Sequence, residues 1–157
     1  FSKIGWKPEM ELIYVNEVLE NAPEYMRRRV SDKVLITTHL PSDAEGAMVC
    51  LSLFEWVIEN LCKNAVDAMN GEGRIDVYMT SEKQQIYIDI KDTGKGIARK
   101  NFKTVFNPGY TTKKRGWGLG LTLAKRIIED YHAGRIYVKD SEVGKGTTFR
   151  IELTRVV

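Results

Sequence analysis

Cysteine, proline and histidine are scarce in this chain, and long apolar runs are missing. The two cysteines, Cys50 and Cys62, are too few for a disulfide framework. Each falls in an apolar segment, so both are expected as reduced core residues of a cytoplasmic protein, whether or not the parent is anchored to a membrane. No stretch approaches the roughly 20 apolar residues that a membrane-crossing helix needs, and no signal peptide opens the chain. An excess of one charge is also missing. A formal net charge of +3 implies no nucleic acid and no anionic membrane surface as partner. No internal repeat or low-complexity tract is present. What remains, 43% hydrophobic and 29% charged over 157 residues, is the balance of one soluble globular domain. The chain opens on Phe1-Ser2-Lys3-Ile4-Gly5-Trp6 without a methionine. Residues 1–8 are read as the tail of an upstream helix or linker, and 9–157 as the domain proper, the C-terminal module of a longer protein.

Periodicity and punctuation give the element order. Leu12–Val15 is a strand candidate, followed by Asn16 as a helix cap and a helix from Glu17 to about Arg29. Lys33–Leu40 is rich in β-formers and ends at Pro41, and Ala47–Leu51 is a further short strand or the lead-in to the next helix. Ser52 can cap a helix that runs to about Met69, stopped by Gly71 and Gly73. Ile75-Val77-Met79 and Ile86-Ile88-Ile90 alternate with period two across the polar turn 80–85, which predicts a hairpin. Residues 97–115 lack clean periodicity and are too long for a plain connection, so they are read as a mobile lid. A helix from Gly118 to about His132 carries Leu119, Leu123, Ile127 and Tyr131 on one side, and strands at Arg135–Lys139 and Thr147–Leu153 close the chain. The order predicts an α+β domain, a two-layer α/β sandwich with a mixed sheet covered by helices on one face.

Four segments carry chemistry. On the helix after Ser52, Asn60, Asn64 and Asp67 fall within roughly 60° of one another at 100° per residue, beside an apolar face of Phe54, Val57, Ile58, Leu61, Cys62, Ala65 and Met69. A carboxamide oxygen there is a neutral, hard ligand suited to Mg²⁺, which takes few protein ligands. The same residues also read as a solvated helix edge. Asp92 shares strand parity with Ile86, Ile88 and Ile90, so it points into the core side, where a carboxylate needs a strong donor. The exocyclic amine of adenine is such a donor, and guanine offers an oxygen instead. Gly94 and Gly96 let the backbone pass close to a ring, although an Asp-Gly turn after a strand is common without any ligand. Gly116, Gly118 and Gly120 lead into the helix that begins with Leu119 and Leu121, and a helix N-terminus binds phosphate. No parallel βαβ unit surrounds them, which excludes a dinucleotide-binding crossover. Gly144-Lys145-Gly146-Thr147 fits a glycine-rich wall to a pocket as well as a plain hairpin turn. Between the second and third segments, Phe106 and Pro108 offer anchors, and Lys113, Lys114 and Arg115 bring positive charge.

In this order the segments resemble the GHKL ATP-binding fold, and within it the catalytic domain of bacterial sensor histidine kinases. The resemblance covers the chain from about Glu9 to Val157. It implies that Asn64 is the Mg²⁺ ligand, with Asn60 as a second polar contact to metal or phosphate. It implies that Asp92 reads adenine, with Gly94, Gly96, Ile97 and Thr147 around the base. Phe106, Gly116, Gly118, Leu119, Gly120 and Leu121 would line the phosphate side, with Lys113 closing on the triphosphate. The cofactors implied are ATP and Mg²⁺, and Asn60, Asn64 and Lys113 would be the catalytic set. The partners implied are an upstream dimerisation and phosphoacceptor domain of the same parent and a response regulator. The isolated chain is expected to be monomeric and the parent a homodimer.

Two departures from the pattern matter. ATP-hydrolysing members of the superfamily place a water-orienting glutamate four residues before the metal asparagine, and this chain has Asn60 there. Glu59 is turned about 100° away on the helix. A basic residue common three positions after the metal asparagine is Asp67, so a phosphate clamp would lean on Lys63 or the lid lysines. His39 and His132 lack the acidic neighbour and long helix of a phosphoacceptor. Both are read as structural, and at His132, which ends a helix, an imidazolium would suit the dipole. The leading expectation is a histidine-kinase catalytic module, with a nucleotide-binding switch or ATPase as the rival.

Overall fold

A computed structural model describes residues 7–27, 32–110 and 120–156, with the backbone alone at 25 and 27. A short antiparallel pair, β1 (Glu11–Tyr14) and β3 (Gly46–Val49), stands beside a five-stranded sheet. The large sheet comprises β2 (Val34–His39), β4 (Gly73–Glu82), β5 (Gln85–Asp92), β6 (Arg135–Glu142) and β7 (Gly146–Thr154) in the order β2-β4-β5-β7-β6. β2 runs parallel to β4 and the other neighbours are antiparallel, so the sheet is mixed as expected. Helices α1 (Val15–Glu20), α2 (Ala22–Arg27), α3 (Leu51–Ala68) and α4 (Gly120–Arg126) complete the fold.

Strand alternation builds the core. Ile75, Val77 and Met79 of β4, Ile86, Ile88 and Ile90 of β5, and Phe149, Ile151 and Leu153 of β7 all turn to one side and are buried. Phe54, Leu61 and Cys62 of α3 meet them, and full burial of a side chain such as Phe54 is worth about 1.5–3 kcal/mol. Burial pushes the Cys62 thiol up to about 12, as suits an inert core residue. The opposite sheet face is polar. Arg150 binds Asp89 through Nε and an η nitrogen at 2.7 and 2.8 Å, and His39 Nε2 lies 2.8 Å from Asp76 Oδ1. Stacked on Tyr78 at a centroid distance of 4.4 Å, His39 is a structural residue of this face.

Several boundaries differ from the sequence reading, each for a physical reason. The helix expected over 17–29 is two helices, because Pro23 has no N–H to give Leu19 and opens α2 in its first turn. Asn16 does not cap. It lies within α1, donates from Nδ2 to the carbonyls of Pro41 (3.1 Å) and Asp43 (3.0 Å), and accepts the Glu45 N–H, which secures the loop before β3. The β4–β5 turn shrinks to Lys83-Gln84, since Thr80 and Ser81 pair with Tyr87 and Ile86. After α4 the chain widens into a π-helical turn, Ile127–Tyr131, that ends at His132.

Candidate nucleotide-binding site

Asp92 lies at the end of β5 and is 4% exposed. Its Oδ1 accepts the backbone N–H groups of Gly94 (2.8 Å) and Thr147 (3.3 Å). Among the described residues nothing donates to Oδ2. Burial raises the pKa of this carboxyl, and the two backbone donors partly offset the rise.

The loop after Asp92 is held on two sides. Lys95 N–H donates to Ala68 O at the end of α3, and a Cβ on Gly94 would sit 2.8 Å from that same oxygen. Gly96 has φ +78°, and a Cβ there would fall 2.2 Å from Glu142 O. Gly144 N–H donates to Lys95 O at 2.7 Å. Gly94 and Gly96 are therefore required by close backbone contacts within the protein, in addition to any contact with a ring.

Ser141 completes the hub, and the sequence reading missed it. Its Oγ accepts the Ile97 N–H (2.8 Å), donates to Gly146 O (2.9 Å) and lies 2.8 Å from Thr147 Oγ1. Strict alternation from Ile136 and Val138 would aim Asp140 inward. A bulge between Val138 and Asp140 shifts the register, so Ser141 pairs with Thr147 and turns in while Asp140 is exposed.

The polar edge of α3 faces α4. A Cβ on Gly120 would lie 2.7 Å from Asn60 Nδ2, so only glycine lets α4 begin this close to the asparagine. Asn60 Nδ2 is buried with no hydrogen-bond partner among the described residues. Asn64 is half-buried one turn further on, while Lys63 and Asp67 are exposed. Lys63 Nζ lies 3.5 Å from Glu59 Oε1, and Glu59 is buried. Leu121 is half-buried against the core.

Phe106 is buried edge-on to Phe149 (centroids 6.0 Å apart), under Lys125 Nζ at 5.6 Å, and its carbonyl accepts the Thr122 hydroxyl at 2.8 Å. Val105 is buried beside it, and two 3₁₀ turns, Arg99–Asn101 and Thr104–Phe106, shape the segment. Phe106, named from the sequence as an anchor, and Val105 thus hold residues 97–110 on the core. Lys113, Gly116, Gly118 and Leu119, with Lys114 and Arg115, lie outside the described residues.

The free polar atoms at the two ends of this site suit a nucleotide. Asp92 Oδ2 has no donor among the described residues, and the buried Asn60 amide nitrogen, a donor suited to a phosphate oxygen, has no partner beside the start of α4. Among the described residues no cluster of three or more His, Cys, Asp or Glu could hold a metal by itself.

With this geometry in place, comparison with known proteins fixes the class. Residues 51–156 match the family described as histidine kinase-, DNA gyrase B-, and HSP90-like ATPase. The chain belongs to that family. Among its relatives is sporulation kinase A of Bacillus subtilis, 40% identical over 63% of this chain and 16% of that kinase. Sensor kinase CckA of Brucella abortus is 32% identical over 94% of this chain and 17% of its own length. The chain thus spans about a sixth of either relative. In fold it resembles the catalytic domain of histidine kinase ThkA, with a TM-score of 0.83 and 22% identity over 94% of this chain and 96% of that one. A further structure holds ThkA in complex with the response regulator protein TrrA. Among the described residues no helix is long and apolar enough to cross a membrane.

Proposed function

We propose that this chain is the ATP-binding catalytic module of a cytoplasmic sensor histidine kinase region. It presents the γ-phosphoryl group of ATP to a histidine on a dimerisation domain elsewhere in the parent, from which a response regulator takes it. Asp92 Oδ2 accepts the adenine amine, and the Ser141–Thr147 pair holds the wall beside it. Asn64, with Asn60, would hold Mg²⁺, which would neutralise phosphate charge when bound. The N-terminal end of α4 and Lys113 would contact the phosphates. The chain's part in the reaction is positioning and charge neutralisation, the usual division of labour in phosphoryl transfer.

The observation that carries the kinase reading over the hydrolase reading is the pair Asn60 and Glu59. The position from which a glutamate would orient water holds an amide, packed against Gly120. The neighbouring glutamate is buried and paired with Lys63. Position 60 and its neighbour Glu59 therefore offer no free carboxylate where the hydrolytic members orient water. Steady-state ATP turnover by the chain alone tests this. Turnover should be negligible, and Asn60→Glu should raise it slightly. Brisk hydrolysis by the wild-type chain would favour the ATPase or switch reading.

A further inference from the structure

Helix α3 begins without a side-chain cap. Cys50 precedes it in extended conformation, and Cys50 O accepts the Phe54 N–H at 2.9 Å as the first helical bond. The Cys50 N–H is nevertheless satisfied, by a residue 82 positions away. His132 Nε2 accepts it at 3.1 Å, while His132 Nδ1 lies 2.9 Å from Ile127 O at the π-helical turn. These two partners leave one protonation state. An N–H must donate to Nε2 and a carbonyl must accept from Nδ1, so the ring is neutral with its proton on Nδ1. The imidazolium that would suit the helix dipole is therefore excluded. The ring is 7% exposed and tilted against Phe54 at 6.3 Å.

Helix α3 and the α4 segment pack together through the apolar core, and two close approaches bracket that packing. One is Asn60 against Gly120, at the phosphate end of the site. The other is the Cys50–His132 bond, at the start of α3 and the far end of the α4 segment. We propose that His132 is a positioning residue for the nucleotide site. As a neutral imidazole it pins the α4 segment to the start of α3 and so sets how the asparagine edge meets the phosphate helix. This inference rests on the reading of the site given above.

Acid should undo the link. A proton on Nε2 would face the Cys50 N–H, two donors with no acceptor between them, in a buried setting where an unmet donor is costly. Burial lowers the His132 pKa, with the Ile127 carbonyl opposing. The link is therefore complete above the ordinary histidine range near 6.5 and is lost as pH falls through the lowered value. The surrounding titratable groups are otherwise placed. Glu129, on the same turn, accepts the Ile136 N–H, Asp130 is exposed and Tyr131 half-buried. Arg135 of β6 lies over Tyr137 and pairs with Glu152. On the α3 side, Cys50 holds its own amide on the ring and Glu55 is half-buried on the first turn, while β3 carries no titratable side chain.

The test compares the wild-type chain with His132→Gln, which keeps an acceptor and a donor, and His132→Phe, which keeps a flat ring and neither. Affinity for a fluorescent ATP analogue with Mg²⁺ is measured from pH 7.5 to 5, and exchange of the Cys50 amide is followed in parallel. At pH 7.5 His132→Phe should bind about tenfold more weakly, one lost buried hydrogen bond's worth, with a fast-exchanging Cys50 amide. His132→Gln should bind within about threefold of wild type, since an acceptor remains. Wild-type affinity should fall with acid before that of His132→Gln, which retains only the decline due to Asp92. Equal affinities and overlaying pH profiles for all three chains, with the Cys50 amide slow in each, would overturn the proposal. Wild-type chain that binds no analogue at pH 7.5 would instead sink the reading of the site. The link would still be decided by whether acid and His132→Phe release the Cys50 amide.

Discussion

Asp92→Asn offers a test in which the structure dictates the outcome atom by atom. In the wild-type protein Oδ1 is committed to the Gly94 and Thr147 amides. An asparagine has one oxygen, and those two donors claim it. The amide NH₂ is then forced to the Oδ2 position, where the base arrives. An adenine amine would meet a donor instead of a carboxylate. A hydrogen bond to a charged group contributes about 1.5–3 kcal/mol, so ATP affinity should fall roughly tenfold to a hundredfold. A base with a carbonyl in place of the amine should gain over adenine in the same variant. The fold should survive, because both backbone donors keep an acceptor. Burial raises the Asp92 pKa in the folded chain, so the carboxyl's contribution to stability is fully present below its unfolded value near 3.8 and lost as pH rises through the folded value. At pH 7 the unliganded variant should therefore melt no lower than wild type. Titration with fluorescent ATP and inosine triphosphate analogues, alongside a melting curve, checks each part. Unchanged ATP affinity, or equal losses for both bases, would refute the assignment of Oδ2 to the base.

Other sites give sharper single readouts. Asn64→Ala should weaken nucleotide binding in Mg²⁺ much more than in EDTA, because the lost oxygen acts through the ion, and equal losses in the two buffers would remove its metal role. Gly96→Ala should abolish nucleotide binding and lower the melting temperature, since its Cβ would meet backbone oxygen at 2.2 Å in a left-handed conformation. Wild-type melting and binding would contradict that geometry. Phe106→Ala should cost about 3 kcal/mol in urea denaturation, as for other buried aromatics, and a cost near zero would mean that the segment does not pack on the core. In nucleotide-free protein the Ile97 amide should already exchange slowly because Ser141 holds it, and Ser141→Ala should release it.

Much of the site was legible because it uses simple periodicities. Period two along Ile86, Ile88 and Ile90 delivers Asp92 to the core side, and the helical period groups Asn60 with Asn64. The glycines were legible as close approaches, although the approaches found are to the protein's own backbone at Ala68 and Glu142. What was not legible needed a break in period or a partner far along the chain. Ser141 turns inward only through the bulge after Val138. Asn16 looked like a cap, and its actual partners lie 25 to 29 residues on. The charge state of His132 was not legible because the dipole argument is local, while the Cys50 amide that decides it comes from the start of another helix. The split between α1 and α2 was readable from Pro23, and the helical periodicity on either side masked it.

Phosphoryl transfer in trans tests the central claim most directly. The chain is mixed with the separately produced dimerisation domain of its own parent, γ-labelled ATP and Mg²⁺, and the label is followed. The account predicts label on a histidine of that domain, lost in acid and stable in base as a phosphoramidate is, with little inorganic phosphate released by the chain alone. Rapid release of inorganic phosphate by the chain, with no label on the dimerisation domain, would contradict it.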